Sequence, residues 1–287
     1  MTLLEKRIKN LSDGIALSLA KLAKDVSSKS VHRLRTTIRK AESLVDYARP
    51  DLGRKQEKAM KALAGLRRRA GKARDLDVQL DLLGAIGNGS TAHDRKVLSE
   101  IMKEKRARQA ERLKSLVEKI QDTKIFSHLD RIAEKIAASS ASLEGPETPL
   151  DRAQAQLSAL AAEFARHQTA KPSLLHQVRI RMKMIRYLAA LGEESGEQQH
   201  FLEELKTVQD ALGAWHDWEE LSQTVEKHFG DRVNCPLLLE TRALLSARYA
   251  AANGAVAELF AKHAIPAPPA QKQPRAEHSL QAMAKRA

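Results

Sequence analysis

Residues 31–44 read VHRLRTTIRKAESL, and residues 175–188 read LHQVRIRMKMIRYL. The second stretch repeats the first. With His32 set on His176, Arg35 falls on Arg179 and Arg39 on Lys183, while Leu34, Ile38 and Leu44 meet Val178, Met182 and Leu188. At about 100° per residue on a helix, His32, Arg35 and Arg39 cluster near 0°, 300° and 340°. Leu34, Ile38, Ala41 and Val45 take the opposite side, near 180–240°. The second copy divides in the same way, with His176, Arg179 and Lys183 opposed to Val178, Met182, Ile185 and Ala189. One such helix would be an ordinary amphipathic helix with a solvated charged face. Two with the same offsets, half a chain apart, imply a duplicated unit with a duplicated basic stripe.

The 287 residues are 43% apolar, enough for a full core, but only 3% aromatic. Helix-forming Leu, Ala, Lys, Arg, Glu and Gln dominate, and long Val/Ile/Thr alternations are absent, so the expected fold class is all-α. Lys and Arg number 49 against 36 Asp and Glu, a formal charge of +13. That excess favours an anionic partner: nucleic acid, anionic lipid or a polyphosphorylated compound. Cys235 is the only cysteine, so no intrachain disulfide forms and a reducing compartment is expected. No apolar run approaches the roughly 18 residues of a membrane span, and MTLLEKRIKN does not read as a secretion signal. A soluble, cytoplasmic protein with no membrane partner is expected.

Along the chain, helical spacing predicts a helix over 3–26, then the first basic-stripe helix, capped by Ser27, Ser28 or Ser30 and stopped near Arg49 by Pro50. A helix over 54–70 is expected to break at Gly71 and restart at Asp75. A long basic helix follows over 91–121, then a shorter one over 125–141. The second half repeats the order: 150–168, the second stripe helix capped by Ser173 and running to about Leu191, then 198–212, 217–229 and 236–263. The domain plan is a first helical bundle over 1–141, a linker over 142–149 (SLEGPETP from Ser142), a second bundle over 150–263, and a Pro-rich tail over 264–287 expected to be disordered.

A second repeated signal supports the duplication. Gly71-Lys-Ala-Arg-Asp-Leu-Asp77 aligns with Gly213-Ala-Trp-His-Asp-Trp-Glu219, and these segments follow their histidines by 39 and 37 residues. The expected architecture is two four-helix bundles related by an internal pseudo-twofold duplication. Asp75 and Asp217 carry two readings: helix N-caps, or carboxylates that orient Arg74, His216 or a stripe arginine. Trp215 and Trp218 read as core.

The chemistry of the stripes suits phosphate. Arginine's planar fork binds two oxygens at once and stays charged when partly desolvated, lysine adds a compact charge, and imidazole adds a hydrogen bond. Two stripes facing each other across a pseudo-twofold would form a positive groove or pore fitted to a linear polyanion. Lys40, Arg67, Arg68, Arg69, Lys72, Arg74, Arg181 and Arg186 add to the basic side. One histidine per helix, with no His-x-x-x-His or Glu-x-x-His pair, gives too few ligands, so no metal site or cofactor is expected. With no Walker A loop and no Gly-x-Ser-x-Gly, an enzyme is not expected. Nucleic acid ranks behind polyphosphate as a partner, because few aromatics are on hand for base stacking. Residues 103–114 of the long basic helix interleave with glutamates and read as a solvated face.

At these residues the chain resembles the CHAD family, the conserved histidine α-helical domain. The resemblance rests on His32-Arg35-Arg39-Lys40, on Arg74-Asp75-Leu76-Asp77 and on His176-Arg179-Lys183, and covers roughly residues 5–263. It implies two four-helix bundles whose basic residues line a central surface or pore that binds inorganic polyphosphate, with localisation to polyphosphate granules in some members. Carried over, His32, Arg35, Arg39, Lys40, Arg74, His176, Arg179, Lys183 and Arg186 would be phosphate ligands. The chain departs from the pattern at His216, where the first half has Arg74, at Ala70, where a leucine is usual, and at Met184 beside Lys183. It has no Glu-x-Glu-x-Lys motif of the CYTH triphosphatase domain found fused to some members, so a stand-alone, non-enzymatic polyphosphate-binding protein is expected. The rivals are an enzyme acting on phosphorylated substrates and a basic helical adaptor for nucleic acid or acidic proteins.

Overall fold

The computed structural model describes residues 3–263, apart from 88, 122–123, 141–146, 167–170 and 233. The expected tail over 264–287 and most of the expected linker lie outside the described residues. Those described form helices and no strand: α1 (Leu3–Lys24), α2 (Ser28–Ala48), α3 (Arg54–Ala85), α4 (Ala92–Gln121), α5 (Ile125–Ser140), α6 (Pro149–Phe164), α7 (Pro172–Ala189), α8 (Gly196–Phe229) and α9 (Pro236–His263).

The basic-stripe helices are α2 and α7. Ser27 caps α2, its Oγ accepting from the Ser30 N–H. The helix ends where Arg49 turns left-handed (φ 42°) and its N–H bonds Val45 O, just before Pro50. Val31, Leu34, Ile38, Ala41 and Leu44 form the buried face. Val45, expected inward, is only partly buried. On α7 all four expected inward residues, Val178, Met182, Ile185 and Ala189, are buried. The α7 cap differs from expectation. Pro172 takes the first helical position, where its missing N–H costs nothing, so the helix has already begun at Ser173 and the N-cap is Lys171.

Two predicted breaks do not occur. α3 runs through Gly71 and α8 through Gly213 without interruption, so Asp75 and Asp217 sit mid-helix and cap nothing. A helical glycine costs only about 1 kcal/mol relative to alanine. Burial outweighs that: Leu63, Leu66, Ala70 and Ala73 are fully enclosed around Gly71, and Leu205, Leu212 and Trp215 around Gly213. At roughly 2 kcal/mol for each large buried side chain, packing decides the conformation. Trp215 and Trp218 are buried, as read from the sequence.

In the first half α1, α2, α3 and α5 pack side by side, with α4 laid against α3 and α1. In the second, α6, α7, α8 and α9 pack in a ring. The halves meet where α2 lies on α7 and α3 on α8. A single apolar cluster runs through both halves, and a second joins the far ends of α3, α4, α8 and α9. Two polar ties fix the arrangement. Arg7 of α1 donates to Ala190 O and Gly192 O, at 2.8 and 2.6 Å, satisfying carbonyls at the C-terminus of α7. Arg106 of α4 pairs with Asp77 of α3 at 2.6 Å and donates to Val26 O between α1 and α2 at 2.8 Å. Arg106 is therefore a largely buried tie and not part of the solvated face expected of its helix.

Candidate anion site between α2 and α7

With their apolar faces turned into the core, α2 and α7 direct their opposite faces toward one shared region. Arg35, Arg39, Arg179 and Lys183 come together there, close enough that each half's cations act on the other's. The clearest case is Lys183, whose pKa is pushed down to about 7. Burial is the main cause, followed by the charges of Arg179 and Arg39, with Asp217 partly opposing and Arg35 adding to the repulsion. Arg179 is likewise disfavoured in its charged form, by burial first and by Arg39 and Arg35 besides, against the pull of Asp217 and Asp75.

Direct pairing is scarce. Among the described residues Arg39, Arg179 and Lys183 have no hydrogen-bond or ion-pair partner within the chain, and Arg179 Nε is a buried donor with nothing to bond. Only Arg35 is engaged. Its Nη1 donates to Gly71 O and to Asp75 Oδ1, both at 3.3 Å. A Cβ at residue 71 would stand 3.5 Å from that nitrogen, an ordinary van der Waals contact, so it is the Gly71 carbonyl and the Asp75 carboxylate that seat the guanidinium. The repeated Gly-x-x-x-Asp is thus a seat for a stripe arginine in the first half, and the orienting reading of Asp75 holds.

The remaining expected residues are placed differently. His32 and Lys40 are exposed. His32 is pushed below its ordinary pKa by burial, then by Arg74 and Arg35, and is neutral at neutral pH. Arg74 donates to Ser28 Oγ at 2.6 Å, at the start of α2. Arg186 donates to Gln209 Oε1 at 2.8 Å, and the Gln209 amide in turn bonds Met182 O. Arg181, also on α7, pairs with Glu163. His176 lies against His216 with ring centroids 5.3 Å apart and planes tilted by 55°.

His216 is held down to about 3 by burial and by Arg179, His176 and Lys183. Its Nδ1 stands 3.6 Å from Glu219 Oε2, beyond hydrogen-bond reach, and a neutral ring forms no ion pair there. Sequence reasoning did not assign Glu219 and Glu220 to the site. Both carboxyls are raised by burial, as is Asp217, and Asp75, Asp217 and Glu219 all act on Glu220. Their signal was available in the run Asp217-Trp-Glu-Glu220, one turn past Gly213. The site is therefore a cationic floor with a carboxylate edge. It is suited to an anion that brings several charges at once and replaces the missing partners of Arg39, Arg179 and Lys183.

No helix among the described residues is long and apolar enough to cross a membrane, and none of their His, Cys, Asp and Glu side chains group in threes suited to a metal ion.

Two solved structures share this fold. The crystal structure of the CHAD domain from the plant Ricinus communis superposes with a TM-score of 0.66 at 18% identity, over 93% of this chain and 92% of that one. PptA from Streptomyces chartreusis superposes with a TM-score of 0.57 at 14% identity, over 91% and 97% of the two chains. No curated protein sequence matches this chain. The family model of the CHAD domain matches residues 9–226, most of the chain, and with the all-helical fold and its two His-x-x-Arg helices the protein belongs to the CHAD domain family.

Proposed function

We propose that this protein binds inorganic polyphosphate on the surface where α2 meets α7, and holds the chain without cleaving it. The observation that carries the reading is the set of unpartnered cations, Arg39, Arg179 and Lys183, drawn from both halves into one half-buried place. Folding apposes these charges at a cost, since burial and mutual repulsion both work against Lys183. A polyanion reverses the sign of that cost. Each phosphate brought between the stripes supplies the hydrogen-bond acceptors that Arg179 Nε and the lysine lack. Neighbouring phosphates on one chain do this together, at the entropy cost of a single molecule.

The two halves form a pseudo-twofold duplication of a four-helix unit, α1–α4 against α6–α9, with α5 added to the first. The equivalent pairs α2 with α7 and α3 with α8 meeting at the centre support this, as do the matched Gly-x-x-(Arg/His)-Asp segments on α3 and α8. The ligand then lies along the relating axis, and granule association follows from multivalent capture of long chains.

Replacing Arg35→Ala with Arg179→Ala tests the site. Affinity for long-chain polyphosphate, measured calorimetrically, is expected to fall at least about tenfold while the thermal transition is kept. Unchanged affinity would remove this surface as the binding site. Phosphate release from polyphosphate in the presence of magnesium tests the non-enzymatic part, and sustained turnover would overturn it.

A further inference from the structure

A second concentration of positive charge lies outside the stripes. A cavity of about 390 Å³ opens where α1 leads into α2, and Lys21, Lys24, Lys29 and Arg33 line it. Among the described residues none of these four has an ion-pair or hydrogen-bond partner for its charged group. Asp25 is the one acid in the lining, and it stands beyond ion-pair distance of all four. Ser27 and Ser30 complete the wall.

The wall is held in place. Ser30 Oγ lies 2.9 Å from both Asp25 O and Ser27 O, which share its one proton, and Arg106 donates to Val26 O. Around α2, His32 stands between the cavity's Lys29 and the central site's Arg39, at about 0° against 60° and 340°. Arg74 bonds Ser28 and acts on His32 one turn further on, and Arg35 acts on His32 as well. Lys29 and Arg33 thus sit about 120° around α2 from Arg35 and Arg39, with a rise of about 15 Å from Lys29 to Arg39, so a chain that uses both places winds around the helix past His32. The duplication does not account for the cavity's charge. In the register that sets His32 on His176, Lys29 meets Ser173 and Arg33 meets Gln177, so the second half has no counterpart.

We propose that this cavity is a second anion subsite, which receives the outlying phosphates of a polyphosphate chain whose body lies on the α2–α7 surface. The proposal rests on the polyphosphate reading above and adds a length requirement to it. A chain spanning both places gains the second contact at high effective concentration, whereas tripolyphosphate is too short to fill both. The asymmetry further gives the bound chain a preferred exit, past the first half.

The test compares three proteins by calorimetric titration with tripolyphosphate and with long-chain polyphosphate at fixed salt. They are the wild type, Lys24→Ala/Lys29→Ala/Arg33→Ala, and a control with the same charge loss on another face, Lys55→Ala/Lys58→Ala/Lys124→Ala. The cavity variant is expected to lose about tenfold in affinity for the long chain, with a salt slope shallower by about 2, and less than about twofold for tripolyphosphate. The control is expected to lose less than about threefold for either. Retained tripolyphosphate binding certifies that the variant is folded and its central site intact. Equal losses for both chain lengths, or a control that loses as much as the cavity variant, would overturn the subsite and leave the central site standing. A wild type that binds neither anion would overturn the polyphosphate reading and this inference with it.

Discussion

Arg35 on α2 reaches Asp75 on α3 across the edge of the basic surface, Nη1 to Oδ1 at 3.3 Å, with the arginine largely buried and the aspartate largely exposed. The carboxylate occupies a place at the guanidinium that a phosphate oxygen would also seek. It orients the fork in the free protein and, on the proposed reading, would compete with a bound phosphate.

Asp75→Asn is therefore expected to tighten polyphosphate binding severalfold, since the amide keeps a hydrogen-bond acceptor but no longer repels the ligand. Stability should change by less than about 1 kcal/mol, because the pair is solvent-exposed on the acid's side. Isothermal titration beside a thermal melt reads both. Weaker binding by Asp75→Asn would show that orienting Arg35 matters more than the competition.

On the proposed reading, Lys183 is expected to make binding depend on pH. In the free protein its pKa is about 7, so near neutrality a large share of the molecules carry it uncharged. A bound polyanion favours the ammonium and raises that pKa, so binding near pH 7 takes up protons and weakens as pH rises through 7 and beyond. Calorimetry in two buffers of different ionisation enthalpy measures the uptake. Lys183→Met should abolish most of it, and an unchanged uptake would assign the proton to another group.

The same residue is expected to cost the free protein stability. A lysine with an ordinary pKa of 10.5 in the unfolded chain and about 7 in the folded one disfavours folding. The penalty is fully present below pH 7 and is relieved as pH rises from 7 toward 10.5, because the unfolded chain then binds the extra proton. Lys183→Met should raise stability at pH 6 by roughly 1–2 kcal/mol once solvent screening is allowed for, while weakening ligand binding. Denaturant melts at pH 6 and pH 10 check the sign: the variant's advantage shrinks at the higher pH.

The Arg106–Asp77 pair, with each side chain 13% exposed, holds α4 to α3 and closes on Val26 O. Arg106→Ala leaves Asp77 buried without a partner and is expected to cost about 3 kcal/mol. The double variant Arg106→Ala/Asp77→Ala should cost less than the two single changes together, a coupling that a double-mutant cycle in urea measures. Additive losses would mean that the two residues act separately.

Much of this architecture was legible because it depends on spacing. The inward faces of α2 and α7, the stop before Pro50 and the Ser27 cap all follow from residues within a turn or two of one another. The glycines misled for a physical reason. Gly71 reads as punctuation, yet it lies within a continuous helix and its carbonyl accepts from Arg35, 36 residues away in sequence. Arg106 misled similarly: its interleaved glutamates signal a solvated face, while Asp77 comes from another helix. Within the stripes, spacing indicated which basic residues share a face but not how deeply each is buried. Lys40 and Lys183 were both assigned as ligands; the first is exposed, and only the second is buried enough to lose much of its charge.

The central claim is most directly tested by titrating the full chain with long-chain polyphosphate and with duplex DNA at matched phosphate concentration and salt. Saturable binding to polyphosphate at least about a hundredfold tighter than to DNA is expected, because the stripes are narrow, half-buried and few in aromatic residues. Equal affinity for the two polyanions would contradict the account and reduce α2 and α7 to a general basic surface.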